Sequence, residues 1–244
     1  MTWGDEQMNF LTTGSARRLA YVQVAGKGPG VVFLGGFMSD MSGTKALHLE
    51  SWCQAQGRSF LRFDYSGHGA SSEAFADGCI GDWAEDAQAV IETLTEGPQI
   101  LVGSSMGGWI SLQITQAMEW RVVGLVTIAA APDFTEDGFW AGFDDAQKAE
   151  LEAEGRVLVP SEYGDPYIIT KRLIEEGRDR FVLRKPLALP FAVRFLQGTA
   201  DKSVPTTTAL KLLEHADGTD MRLTLVDNAD HSFSENACLE LIVA

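Results

Sequence analysis

Basic residues are scarce in this 244-residue chain: 19 Lys and Arg stand against 34 Asp and Glu, a formal net charge of −15. So acidic a surface argues against nucleic acid and anionic membranes as partners. Cysteine is scarcer still. Cys53, Cys79 and Cys238 form an odd set without metal-ligand spacing, each near an apolar stretch. Buried free thiols in a reducing compartment are therefore expected, and no metal site. No apolar run approaches membrane-spanning length. No basic segment followed by an apolar one opens the chain as a signal peptide would, and internal repeats and low-complexity tracts are missing. A cytoplasmic protein without a membrane span is the expectation. With 45% hydrophobic and 22% charged residues, a chain of this length can build one sizeable core.

What is present centres on one stretch, Ile100-Leu101-Val102-Gly103-Ser104-Ser105-Met106-Gly107-Gly108-Trp109. Its apolar start reads as a buried strand, and Met106 onward reads as a helix start. Between them lies Gly103-x-Ser105-x-Gly107, the spacing of a nucleophile elbow. A serine at so sharp a strand-to-helix turn sits in strained backbone with its Oγ above the sheet edge. Side chains two residues to either side would collide with the crossing strand and helix, so both positions are glycine. The following helix aims its positive end at the site, which favours an oxyanion there.

Elsewhere strands and helices alternate. Hydrophobic patterning predicts strands over 17–25, 31–34, 59–63, 99–102, 122–128, 191–196 and 221–226. It predicts helices over 44–56, 82–94, 106–118 and 206–215, and allows a short last helix near the C-terminus. Residues 1–13 are expected to supply an edge strand, and 26–30 a turn. This alternation means right-handed βαβ units and a mostly parallel sheet of about eight strands flanked by helices, an α/β fold. One segment breaks the rhythm. Residues 132–189 separate two strands by more than a crossover helix needs. They carry helical pieces at 144–153 and 167–176, with turns at Val159-Pro160 and Gly164-Asp165-Pro166. Insertions of this length are usually functional. The expectation is a small helical lid over a core formed by 1–131 and 190–244; the alternative is a surface elaboration with no gating role.

A serine hydroxyl is a poor nucleophile at neutral pH. It needs an adjacent base, and the base needs an orienting acid. Four histidines are available: His48, His68, His215 and His231. Only His231 follows the last predicted strand, in a loop that reaches the carboxyl edge of the sheet. His215 reads as a solvated helix cap and His48 as packing or surface. His68, in a glycine-rich loop at the same edge, stays open as a pocket residue. For the acid, Asp201 follows the strand at 191–196 and lands at that edge; Asp133, after the preceding strand, is the runner-up. Asp230 is too close to His231 in sequence to orient its ring. Two backbone donors are expected to hold the oxyanion, the N–H of Met106 and that of Phe37 in Gly35-Gly36-Phe37-Met38.

Taken together, Gly103-x-Ser105-x-Gly107, Gly198-x-x-Asp201-x-x-Val204-Pro205 and Asp230-His231 resemble an α/β-hydrolase in their order, over essentially the whole chain. Three stretches resemble one branch more closely: 33–46, which opens Phe33-Leu34-Gly35-Gly36-Phe37; 62–71, which contains Asp64-Tyr65-Ser66-Gly67-His68-Gly69; and 97–109. That branch is the mitochondrial abhydrolase-domain acyl-protein (palmitoyl-protein) thioesterases, also described as mycophenolic acid acyl-glucuronide esterases, with their bacterial relatives. The resemblance implies hydrolysis of S-acyl cysteine or of activated acyl esters, with Ser105, Asp201 and His231 catalytic and no metal or organic cofactor. Gly35 departs from the many relatives that carry His there. The absence of a transit segment makes the compact bacterial type the better match. The insertion is the least similar region, and acyl-chain preference would be set there. A general carboxylesterase or acyl-glucuronide esterase on small molecules, or a carbon–carbon bond hydrolase, would use the same triad. A non-catalytic scaffold fits poorly with all three residues in place, and a haloalkane dehalogenase would want Asp where Ser105 stands. The oligomeric state is left open.

Overall fold

The computed structural model describes residues 8–161 and 164–244. In chain order the strands are β1 (Asn9–Thr12), β2 (Arg18–Val24), β3 (Lys27–Leu34), β4 (Arg58–Phe63), β5 (Gln99–Ser104), β6 (Val122–Ile128), β7 (Arg156–Ser161), β8 (Gly164–Thr170), β9 (Ala192–Gly198) and β10 (Met221–Val226). The helices are α1 (Thr44–Ala55), α2 (Ile80–Leu94), α3 (Met106–Ala117), α4 (Asp145–Glu154), α5 (Lys171–Asp179), α6 (Thr206–His215) and α7 (Asn236–Val243). Eight strands form one sheet in the order β1-β2-β4-β3-β5-β6-β9-β10. β1 and β2 run antiparallel, and the six strands from β4 to β10 are parallel. None of the described helices is long and apolar enough to cross a membrane.

Side-chain alternation along a strand divides the core in two. Val31 and Phe33 of β3 pack with Ala46, Leu49 and Cys53 of α1 and with Cys238, Leu239 and Ile242 of α7. Val32 and Leu34 point the other way, into a larger cluster with Trp83, Ala87 and Val90 of α2, Trp109 and Ile110 of α3, and Leu212 of α6. A strand buried on both faces must be apolar throughout, which is why 31–34 carries no polar residue.

Two segments differ from the sequence expectation. Residues 27–30, expected in a turn, open β3 instead. A Cβ on Gly26 would lie 2.3 Å from the Arg58 carbonyl carbon, and one on Gly30 2.3 Å from Gln99 Oε1. These glycines allow strands to approach closely rather than reverse the chain. The insertion between β6 and β9 holds helices and also an antiparallel hairpin, β7–β8. A π-helical stretch, Thr135–Trp140, comes first. Next, α4 starts in a capping box in which Asp144 and Gln147 satisfy each other's amides. The helix expected over 167–176 divides at Thr170. The β-branched Ile168 and Ile169 pair with Leu158 and Val157, and the Thr170 side chain then caps α5 through the Leu173 amide. Val159-Pro160, expected as a turn, lies in β7 at a register shift, where the missing Pro N–H costs no ladder bond.

Candidate active site

Sheet register sets the site. Leu34, Gly103 and Thr127 align across β3, β5 and β6, and Ile128 pairs Leu196 of β9. The loops that follow these strands, and the loop after β10, which runs parallel to β9, leave from one carboxyl edge. Non-glycine residues with positive φ crowd them: Met38 at 54°, Ser105 at 54°, Ala129 at 48°, Asp133 at 58°, Asn228 at 58° and Phe233 at 49°. Strain of about 1–3 kcal/mol per residue persists only where surrounding structure enforces it. At Ser105 the enforcing groups are visible: its amide donates to the Ile128 carbonyl, and its carbonyl accepts from Gly108 and Ala131. The flanking glycines permit the crossing. A Cβ on Gly103 would sit 2.4 Å from the Gly107 carbonyl oxygen, and one on Gly107 2.1 Å from that of Leu34.

Ser105, His231 and Asp201 lie in one line of hydrogen bonds. His231 Nε2 is 3.1 Å from Ser105 Oγ, and its Nδ1 is 2.8 Å from Asp201 Oδ2. Oδ1 of Asp201 accepts the amides of Ser203 and Val204 at 2.9 and 2.8 Å. Burial pushes this carboxyl up, but the hydrogen bonds from His231, Val204 and Gln197 outweigh it and hold Asp201 below the usual carboxylate range. Gly198 makes the approach of the two loops possible, since a Cβ there would lie 2.1 Å from the Ala229 carbonyl oxygen.

Among the described residues, neither the Phe37 nor the Met106 amide donates to another backbone carbonyl. Met106 opens α3, so its N–H is one of the unpaired donors every helix start exposes. Met106 follows Ser105 directly, and Gly36, the neighbour of Phe37, approaches it: a Cβ on Gly36 would touch that of Ser105 at 3.4 Å.

The other sequence candidates fall elsewhere. Asp133 is fully buried, and its carboxylate accepts the Val182 and Leu183 amides and the Arg184 guanidinium. It anchors the return of the insertion and makes no bond to His231. Asp230 caps its own loop through Ser232 Oγ and the Phe233 amide. His215 is not a solvated cap: its Nε2 lies 2.8 Å from the Lys185 carbonyl and 3.1 Å from that of Val182. His68 is 3% exposed, and burial lowers its imidazole to about 4, so it is neutral at pH 7.

Sequence reading missed Gln197, Lys45 and an aromatic cluster. Gln197 is buried and donates to Asp201 Oδ2 at 3.0 Å. A polar residue ending an apolar strand was the available signal. Lys45, in the first turn of α1, donates to the Ser232 carbonyl beside His231. Phe37 is ringed by Phe75 and Trp83 from the core and by Phe134, Phe139 and Tyr167 from the insertion, with centroids 4.8–6.0 Å away.

Ser105 and His231 open into a cavity of about 800 Å³, within the size range of small-molecule sites. Phe37, Phe134, Phe139, Val159 and Tyr167 line it with apolar surface, while Ser39, Asp40, Thr44, Lys45 and Ser203 line it with polar groups. Among the described residues, no cluster of three His, Cys, Asp or Glu side chains could hold a metal.

The pattern described as "Alpha/beta hydrolase family" matches residues 31–242. The chain is 36% identical over 241 residues to the mitochondrial palmitoyl-protein thioesterase ABHD10 of Bos taurus, covering 97% of this chain and 78% of that protein. A putative hydrolase from Agrobacterium vitis S4 superposes with a TM-score of 0.93 at 40% identity, covering 97% of this chain and 95% of the other. Mouse alpha/beta hydrolase domain-containing protein 10 superposes at 0.90 with 33% identity over the same shares.

Proposed function

The chain belongs to the alpha/beta hydrolase family, and from that premise we propose that it is a serine hydrolase cleaving acyl thioesters or activated acyl esters through an acyl-enzyme on Ser105. The observation that carries this reading is the unbroken line Ser105 Oγ–His231–Asp201, at 3.1 and 2.8 Å. Ser105 Oγ attacks the acyl carbonyl while His231 Nε2 takes its proton. Asp201 keeps the other His231 proton on Nδ1 and stabilises the imidazolium that forms. The Phe37 and Met106 amides receive the tetrahedral oxyanion, each donor worth about 3 kcal/mol in comparable sites. His231 protonates the leaving group, which a thiolate needs less than an alkoxide does. Water then attacks the acyl carbon with His231 again the base. No step calls for a metal or organic cofactor.

Residues 132–189 act as the lid, and its Phe134, Phe139 and Tyr167 form the acyl wall beside Phe37. The ABHD10 relatives' description as palmitoyl-protein thioesterases supports a thioester substrate. The polar side of the cavity, with Lys45 and Thr44, also suits the leaving group of a small oxoester. Three buried free cysteines support a reducing compartment.

The test is turnover of a matched medium-chain acyl thioester and oxoester by wild type and Ser105→Ala. Preference for the thioester, abolished in Ser105→Ala, is the expected result. Equal or better oxoester turnover makes the protein a carboxylesterase. Activity surviving in Ser105→Ala overturns the nucleophile assignment.

A further inference from the structure

The Phe37 ring is packed among five aromatic rings, but the backbone of the loop that carries it is held by few hydrogen bonds. Met38 beside it is exposed and sits at φ 54°, a conformation that costs energy and is not fixed by packing of its side chain. Within the loop, the Gly36 carbonyl accepts the Ser39 amide and hydroxyl. Hydrogen bonds to its backbone amides from outside come from the glycine-rich loop after β4: Asp64 Oδ1 accepts the Met41 amide at 2.6 Å, and His68 Nε2 accepts the Met38 amide at 3.3 Å.

His68 is built to be an acceptor at that atom. Its Nδ1 lies 3.1 Å from the Ser66 carbonyl, which can only accept, so the ring proton must be on Nδ1 and the lone pair on Nε2. That carbonyl is itself fixed, because Trp83 Nε1 donates to it and Asp86 accepts both the Ser66 amide and its hydroxyl. Arg17 in turn pairs with Asp86 at 2.7 Å. The imidazole is clamped edge-on by Tyr65, Phe75 and Trp83, with centroids 5.1–5.6 Å away. A tautomer set by its second ring nitrogen and a ring without freedom to turn are what an acceptor needs to impose a direction on a backbone amide.

We propose that His68 is a positioning residue for the oxyanion donor: the Phe37 N–H lies in the Gly36–Phe37 peptide, whose carbonyl Ser39 holds, and by accepting the Met38 amide His68 fixes the next peptide, so that the two together limit the Phe37 torsions and the aim of its N–H. The inference rests on the reading of Ser105 as nucleophile and Phe37 as donor. His68 touches no reacting atom in this scheme. It acts through the loop, so its loss weakens binding of the tetrahedral state and leaves substrate binding nearly unchanged.

Three variants of the full chain separate this role from a structural one. His68→Phe keeps the aromatic packing and removes both hydrogen bonds. His68→Asn can keep the bond to Ser66 but reaches too short to accept from Met38. His68→Gln can place a carbonyl oxygen where Nε2 lies. Active sites are counted with a fluorophosphonate that labels the nucleophilic serine, and kcat is expressed per labelled site on an acyl thioester. Inhibition by an alkyl boronic acid, which forms a tetrahedral anion on the serine, reports the oxyanion hole directly. Phe and Asn are expected to lower kcat per site by roughly 30- to 100-fold, less than outright loss of a donor. KM should stay within about twofold, boronate affinity should fall by the same factor as kcat, and Gln should recover about tenfold of the loss.

The proposal is overturned if Phe and Asn turn over within about threefold of wild type per labelled site. It is equally overturned if kcat and boronate affinity do not fall together, or if Gln recovers nothing. Should Phe fail to fold, the Asn and Gln pair decides alone. Failure of the underlying reading looks different: Ser105→Ala would remain active, and wild type would not be labelled.

Discussion

Replacing Asp201 by Asn tests the acid at a single atom. Oδ1 is committed to two backbone amides, those of Ser203 and Val204. An Asn must keep its carbonyl oxygen there, because an NH2 group would face two N–H donors. The NH2 therefore takes the place of Oδ2, opposite Gln197 Nε2 and His231 Nδ1. His231 can satisfy it only as an acceptor at Nδ1, which puts the ring proton on Nε2, where it can no longer take the proton of Ser105. The expected loss is about 10³- to 10⁴-fold in kcat, or about 4–5.5 kcal/mol of transition-state stabilisation. The fold survives, since both amide bonds to position 201 remain. The added cost is a donor-to-donor contact with Gln197, about 1–3 kcal/mol. Asp133→Asn is the matched control. It weakens the anchor at Val182, Leu183 and Arg184, so it should lower stability by about 3 kcal/mol and leave kcat within a few-fold. Steady-state kinetics and urea unfolding on both variants read out the two quantities. Asp201→Asn with kcat within tenfold of wild type, or a larger kcat loss in Asp133→Asn, would refute the assignment of the acid.

Gly107→Ala should cost more than about 3 kcal/mol in urea unfolding, because the new Cβ would meet backbone oxygens of Leu34 and Gly35 at 2.1 and 2.5 Å, which cannot move aside; wild-type stability would contradict the close crossing. His68 makes stability depend on pH. Its folded pKa of about 4 lies below the usual 6.5, so the unfolded chain binds the extra proton between those values, and stability falls as pH drops through that window. Wild type should lose about 3 kcal/mol of unfolding free energy relative to His68→Phe from pH 7 to pH 4. Asp64 and Asp86, pushed up by burial, act in the opposite sense in both proteins and cancel in that difference, as do the nearby Tyr65 and Arg17, which keep their charge states in this range. A pH-independent difference would mean that His68 is not buried as a neutral ring. Val159→Trp, on the apolar wall of the cavity, should lower turnover of long-chain relative to short-chain acyl thioesters by about tenfold or more; an unchanged chain-length profile would place the acyl group elsewhere.

Local pattern was enough for much of the architecture. The apolar run 31–34 needs two covered faces, and the periods of 122–128, 206–215 and 221–226 match the observed elements to the residue. The positions of Ser105, Asp201 and His231 were also legible, because a strand end in a parallel sheet dictates which edge the following residue reaches. Where local pattern misled, a partner distant in sequence decided the outcome. Ile168 and Ile169 read as part of a helix until Val157 and Leu158 pair with them across the hairpin. His215 read as solvated until the return of the insertion placed the Val182 and Lys185 carbonyls against it. Residues 1–7 of the expected edge segment lie outside the described residues.

The choice between Asp133 and Asp201 shows the division most plainly. Both follow parallel strands and both reach the same edge; the sequence ranks Asp201 first and keeps Asp133 as the runner-up. Tertiary structure separates them: one carboxylate is used up by two amides and a guanidinium from the end of the insertion, and the other keeps an oxygen 2.8 Å from His231. The sequence by itself determined the sheet, the elbow and the edge, because those follow from periodicity and the steric demands of a tight turn. Which further polar groups meet there, Gln197 and Lys45 among them, was decided only on folding, because a hydrogen bond depends on angstrom-scale approach between segments that no local pattern encodes.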